Sequence, residues 1–222
     1  MHTDDHANIC SHISGTVVAA SDESASAAFA TDAMAKLVVF PRLRRKKMAA
    51  WSQDTAKLRE LILFVVERCA DEQIGDVRIN KVLFFSDAFA LQQLGAPITG
   101  ARYQKLPLGP AVRAFVPLRN DMIGDNDVEV EMVGKRRVTR ALRKPNMSLF
   151  SDDEIKLVER VIELFRAYSA NGLSDASHVL SPGWNLVEMK EDIPLETQMI
   201  SQEPIPPDVL QRGRELTQKF GW

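Results

Sequence analysis

Arg78-Ile79-Asn80-Lys81-Val82-Leu83-Phe84-Phe85-Ser86-Asp87-Ala88-Phe89-Ala90 is the stretch on which the fold turns. Ile79, Val82, Leu83, Ser86, Phe89 and Ala90 recur at helical spacing on one face, and Phe84 and Phe85 widen it. A face that wide predicts a helix packed on two sides. Gly75 and Asp76 precede it, and Gly95 and Pro97 end it, so the helix is expected over 78–94.

Two further helices complete the expected core. Upstream, Leu58, Leu61, Ile62, Val65, Val66 and Cys69 form an amphipathic face over 54–70. Downstream, Ser151-Asp152-Asp153-Glu154 is a capping-box sequence, S-x-x-E. It precedes Ile155, Val158, Val161, Ile162, Phe165 and Tyr168, a helix over 151–170 that Asn171-Gly172 is expected to stop. Ser174 would then cap a short helix through His178 and Val179.

The segments between read differently. Ala101 to Leu108 is expected to be extended. Gly109-Pro110 is expected to break the chain and start a helix bearing Val112, Phe115, Val116 and Leu118, which Pro117 kinks or ends early. Val128–Val133 and Arg136–Leu142 read as a β-hairpin around Gly134-Lys135, with a glycine placed for a II′ turn. That register sets Val128, Val130 and Met132 opposite Ala141, Thr139 and Arg137, and Glu129 across from Arg140. The expected fold class is α+β, mainly α-helical, a compact helical domain with a small β-hairpin or sheet.

The flanks form separate regions. Residues 1–50 read as a poorly ordered extension, with Ser14 to Ala35 rich in Ser, Ala, Thr and Asp. It ends in Arg42-Leu43-Arg44-Arg45-Lys46-Lys47, which reads as a solvated linker or a contact for nucleic acid or a partner. Residues 51–200 form the folded domain. Residues 201–222 hold a spacer with Pro204, Pro206 and Pro207, then a final helix that Asp208 would cap, carrying Val209, Leu210, Leu216 and Phe220.

Composition removes several function classes. A net charge of -2 gives no global drive toward nucleic acid or anionic membrane. The two cysteines, Cys10 and Cys69, make no disulfide framework, and the apolar runs are too short to span a bilayer. The start lacks the basic and apolar parts of a secretory signal, so a cytoplasmic protein is expected. His2, His6, Cys10 and His12 have ligand chemistry but no C-x-x-C and no supporting architecture, so no metal is assigned. Ser86, Asp87 and His178 are the types of a hydrolase triad, but Ser86 falls on an apolar helix face and no G-x-S-x-G occurs. No P-loop, G-x-G-x-x-G or H-E-x-x-H is present. The reading is a binding protein, with no catalytic residues and no cofactor.

Three segments in order carry a resemblance: Lys81 to Phe89, Leu108-Gly109-Pro110-Ala111-Val112, and Leu173-Ser174 through His178, Pro182 and Trp184 to Ile193-Pro194. They resemble the K-L-L-Y-F-A-x-A-W, Y-G-P-V and L-S-x-x-x-H…P-W patterns of the Panacea (SocA-like) antitoxin domain family, over about Asp54 to Ile200. This sequence departs from the family in Leu108, Ala90 and the glycine between Pro182 and Trp184. The resemblance implies an antitoxin of a type II toxin-antitoxin system that neutralises a cognate protein toxin by direct binding. It also implies, as a rarer role, an adaptor that hands its partner to a Clp-type protease, and an origin on prophages or other mobile elements. The alternative reading is a mobile-element adaptor or regulator that delivers a partner to a protease or binds DNA.

The residues expected at the partner surface are Lys81, Phe85, Tyr103, Leu108, Gly109, Pro110, Arg113, His178 and Trp184. Lys81 can lay its stem along the core and present its ammonium at a surface. Gly109-Pro110 has a structural reading as a turn, and Trp184 is either a core anchor or an interface contact.

Overall fold

A computed structural model describes residues 51–134, 136–200 and 206–221. The extension over 1–50, the basic run, the His2–His12 group and Lys135 of the hairpin loop lie outside the described residues.

The centre is the helix α2, Asp76–Leu94, flanked by α1, Thr55–Arg68, and α4, Asp152–Arg166. All three expected core helices are present, two of them shorter than expected: α1 ends at Arg68, and α4 at Arg166 rather than at 170. α2 is buried on every side from Ile79 to Gln92, which accounts for the wide apolar face. The capping box forms, Ser151 Oγ accepting from Glu154 N and Glu154 from Ser151 N.

Two small antiparallel sheets flank the helices, so the domain is mainly helical α+β. One is the hairpin of β3, Val128–Val133, and β4, Arg136–Ala141, in the expected register with Val130 opposite Thr139 and Glu129 opposite Arg140. The ion pair, however, joins Arg140 to Glu131, at 3.2 Å. Arg59 on α1 bonds Asp125 and Asp127 just before β3, while Arg143 bonds Asp127 and Glu60. Burial works against ionisation of Asp127, yet these two guanidiniums hold its carboxyl below the usual range.

The second sheet corrects an expectation. Gly109-Pro110 does not start a helix: β2, Gly109–Val112, pairs with β1, Tyr103–Leu106, and β1 also pairs with β5, Asp192–Ile193. Pro110 sits in an edge strand, where a missing N–H is tolerated. The next helix, α3, runs Phe115–Gly124. Pro117 lies in its first turn, where the backbone N–H has no intrahelical partner to lose, so it neither kinks nor shortens the helix.

Two further boundaries move. Asn171-Gly172 does not stop a helix; both lie in the first turn of α5, Ala170–Leu180, which Ser169 caps in place of Ser174. The short α6, Pro182–Leu186, follows from Ser181. The final helix α7, Pro207–Phe220, begins one residue before Asp208, and all its described residues are exposed. Cys69 is buried and free, and burial pushes its thiol up to about 11. No helix among the described residues is long and apolar enough to cross a membrane.

Candidate functional site

The β1–β2 turn, α5 and α6 meet over one end of α2. Pro107 and Leu108 form the turn, which leads into Gly109 at φ +99°. Only glycine holds that angle without strain, and here it also permits contact. A methyl group at Gly109 would stand 2.2 Å from Ser177 Oγ and 2.5 Å from Lys81 Nζ.

Lys81 is 1% exposed, and its ammonium donates to the Pro110 carbonyl at 3.0 Å. Burial alone lowers its pKa to about 7. A lysine depressed in the folded state contributes stability that grows as pH rises from about 7 to its ordinary 10.5, because only the unfolded chain binds the proton across that window. Urea midpoints between pH 7 and 10 are therefore expected to rise for the wild type and to run flatter for Lys81→Met. Equal slopes would show that Lys81 stays charged in the fold.

α6 is set by three neighbours. Ser181 Oγ accepts from Trp184 N at 3.3 Å and from Gln198 Nε2 at 3.0 Å, and Pro182 takes the first helical position. Asn185 Nδ2 donates to the His178 carbonyl at 2.9 Å, tying α6 back to α5.

Trp184 is the focus of the cluster. Its ring stacks on His178 with centroids 4.0 Å apart and planes 16° from parallel. Its Nε1 donates to the Leu106 carbonyl at 3.1 Å. On the ring sits Lys105 Nζ, 4.3 Å from the centroid, which also donates to the Val187 carbonyl at 2.9 Å. Burial, then the positive Lys81, hold the His178 imidazole below its usual range, with Asp175 and the Pro107 backbone pulling the other way.

Five of the nine expected residues therefore gather in one place: Lys81, Gly109, Pro110, His178 and Trp184; but Lys81, Gly109 and Pro110 are buried beneath the surface, and the Lys81 ammonium turns inward to Pro110 instead of reaching a surface as expected. Leu108 joins them at the turn, 53% exposed. Arg113 lies apart and exposed, bonded to Asp192. Phe85 and Tyr103 are core residues at 1% exposure; Phe85 packs on Phe84, Phe89 and Phe165, and Tyr103 donates to Asp87 at 2.9 Å. Trp184 is half-buried, with its polar end satisfied by backbone, so it is both an anchor and part of the surface.

Residues not expected from the sequence complete the surface. Val179 (49% exposed) follows His178, and Leu186 (68%) follows Trp184 by two. Their signal was present as apolar residues out of phase with the buried face of each short helix. Lys105 was legible only as an alternate residue of a strand whose partner across the chain, Asp192–Ile193, is two residues long.

Ser86, Asp87 and His178 make no hydrogen bond with one another. Ser86 Oγ is buried without a partner, Asp87 accepts from Thr99 and Tyr103, and His178 stacks on Trp184. Among the described residues no group of three or more His, Cys, Asp or Glu is placed to hold a metal.

A family model described as "Antitoxin SocA-like, Panacea domain" matches residues 79–185, from the first turns of α2 to α6. Comparison with curated proteins and with solved structures gave no match.

Proposed function

We propose, from the match of residues 79–185 to the model of the SocA-like antitoxin Panacea domain, that this protein is a type II antitoxin that inactivates a cognate protein toxin by covering it. The observation that carries the reading is the half-buried Trp184–His178 stack, together with exposed apolar Leu108, Val179 and Leu186 on the same turn and two helices. Trp184 brings large area at little conformational cost, and the exposed apolar residues add area that a partner can bury. Lys105, over the ring, supplies a cation at the edge for an acidic group on the partner. The action is occupancy in the cytoplasm, without a catalytic step.

Co-expression with the adjacent reading frame tests it. The neighbour alone is expected to arrest growth, and the wild-type protein to restore it. Leu108→Asp with Leu186→Asp is expected to lose rescue and weaken capture of the neighbour at least 100-fold. Both positions are exposed, so the melting temperature should stay within a few degrees of wild type. A harmless neighbour, or one still toxic beside the wild-type protein, overturns the antitoxin reading. Full rescue by the double variant overturns this surface.

A further inference from the structure

α7 holds its apolar face in water. All its described residues are exposed, Val209 (53%), Leu210 (44%), Leu216 (41%) and Phe220 (56%) among them. A lone helix of 14 residues is marginal in water, and a glycine near its middle, Gly213, weakens it further. What stabilises such a helix is a surface laid against its apolar stripe.

The stripe is a single line. Val209, Gly213, Leu216 and Phe220 are spaced by four, three and four residues, so they lie one above another along the helix. Leu210 and Thr217 border the line on one side, Arg212 and Lys219 on the other. A methyl group built on Gly213 meets nothing within 4 Å, so no packing among the described residues calls for a glycine there. Over it lies a hollow lined by Val209, Leu210, Arg214 and Thr217.

This line is complementary to itself when reversed. Two copies laid antiparallel set Gly213 of each beside Leu216 of the other, and Val209 of each beside Phe220 of the other. Every level then joins a smaller residue to a larger one, and Leu216 fills the hollow over Gly213. Laid parallel, Gly213 would face Gly213 and Phe220 would face Phe220, a gap at one level and crowding at another. Charge permits the antiparallel pair. Leu210 meets the second copy's Thr217 on one flank. On the other, Arg212 and Lys219 each stand four residues after an acid, Asp208 and Glu215, which tempers their repulsion across the pair.

We infer that α7 pairs antiparallel with α7 of a second copy of this chain, Leu216 of each seated over Gly213 of the other. Two helices of 14 residues bury less than the about 1,200 Å² of a stable complex, so the pair dissociates on dilution.

Sedimentation equilibrium of the full chain reads the association. The average mass is expected to rise with concentration toward that of two chains. Leu216→Asp is expected to raise the dissociation constant about 100-fold, by placing a carboxylate in the line. Thiol crosslinking with oxidised glutathione, in a Cys10→Ser background that keeps the buried Cys69, reads the orientation. In the antiparallel pair like positions at 209, or at 220, lie about 16 Å apart along the axis. A mixture of Val209→Cys and Phe220→Cys chains is therefore expected to link, and neither variant alone. A single-chain mass at every concentration overturns the proposal, whether α7 stays in water or folds onto its own domain. A dimer indifferent to Leu216→Asp places the interface elsewhere and overturns it too. Linking by each variant alone overturns the antiparallel pair.

Discussion

Gly109→Ala is expected to lower stability by about 2–4 kcal/mol, combining strain at positive φ with overpacking. The new methyl would enter space held by Ser177 Oγ and by the Lys81 ammonium. Neither neighbour is free to leave. The Ser177 hydroxyl donates to the Ser174 carbonyl at 2.7 Å, and Lys81 is bonded to Pro110. Thermal unfolding checks the size, and a double-mutant cycle checks the cause. Ser177→Ala should recover part of the loss in the Gly109→Ala background, because it removes the nearest atom but leaves the φ +99° strain. Strictly additive losses would mean that the two residues do not press on one another.

Asp87→Ala is expected to cost about 3 kcal/mol, a fall in melting temperature of about 6–12 °C. The carboxylate is fully buried and accepts from Thr99 N (2.8 Å), Thr99 Oγ1 (2.6 Å) and Tyr103 OH (2.9 Å). Its removal orphans the Thr99 donors; Tyr103 keeps the Leu83 carbonyl at 3.0 Å. Asp87→Asn should cost much less, since the two hydroxyls can turn to accept from the amide. The pH dependence separates the variants further. Burial raises the Asp87 carboxyl, with Thr99 and Tyr103 only partly opposing. A raised acid keeps its proton longer in the folded chain, so its contribution falls as pH climbs from the unfolded value through the folded one. That fall should be present in the wild type and absent in Asp87→Asn. An Asp87→Ala protein as stable as the wild type would show that Thr99 and Tyr103 find other partners.

The sequence was most legible where local chemistry and burial agree. Ser151 and Glu154 cap α4 as read, and the hairpin register follows from alternation on both strands. It was least legible where partners are remote in the chain. β1 is held by β5 some 90 residues on, and no local pattern in Asp192–Ile193 announces a strand. Gly109-Pro110 has the local form of a helix start, yet Asn80 Oδ1 accepts from Val112 N, and the pair is drawn into a sheet. Of the site, Lys81, Gly109, Pro110, His178 and Trp184 were legible together. Phe85 and Tyr103 were not separable from them, because an aromatic beside a motif reads the same whether it faces the core or the solvent.

The polar residues buried along α2 have a consequence for how such a protein can change. Asn80 fastens Val112, Lys81 fastens Pro110, Asp87 fastens Thr99, and Gln92 fastens Gln198. In each case α2 grips a main-chain atom, so these four fastenings do not depend on which side chain the gripped residue carries. The outer segments can therefore exchange the residues they show to a partner while the helix that positions them stays unaltered. A scaffold of this kind can be redirected from one partner to another by surface substitutions alone.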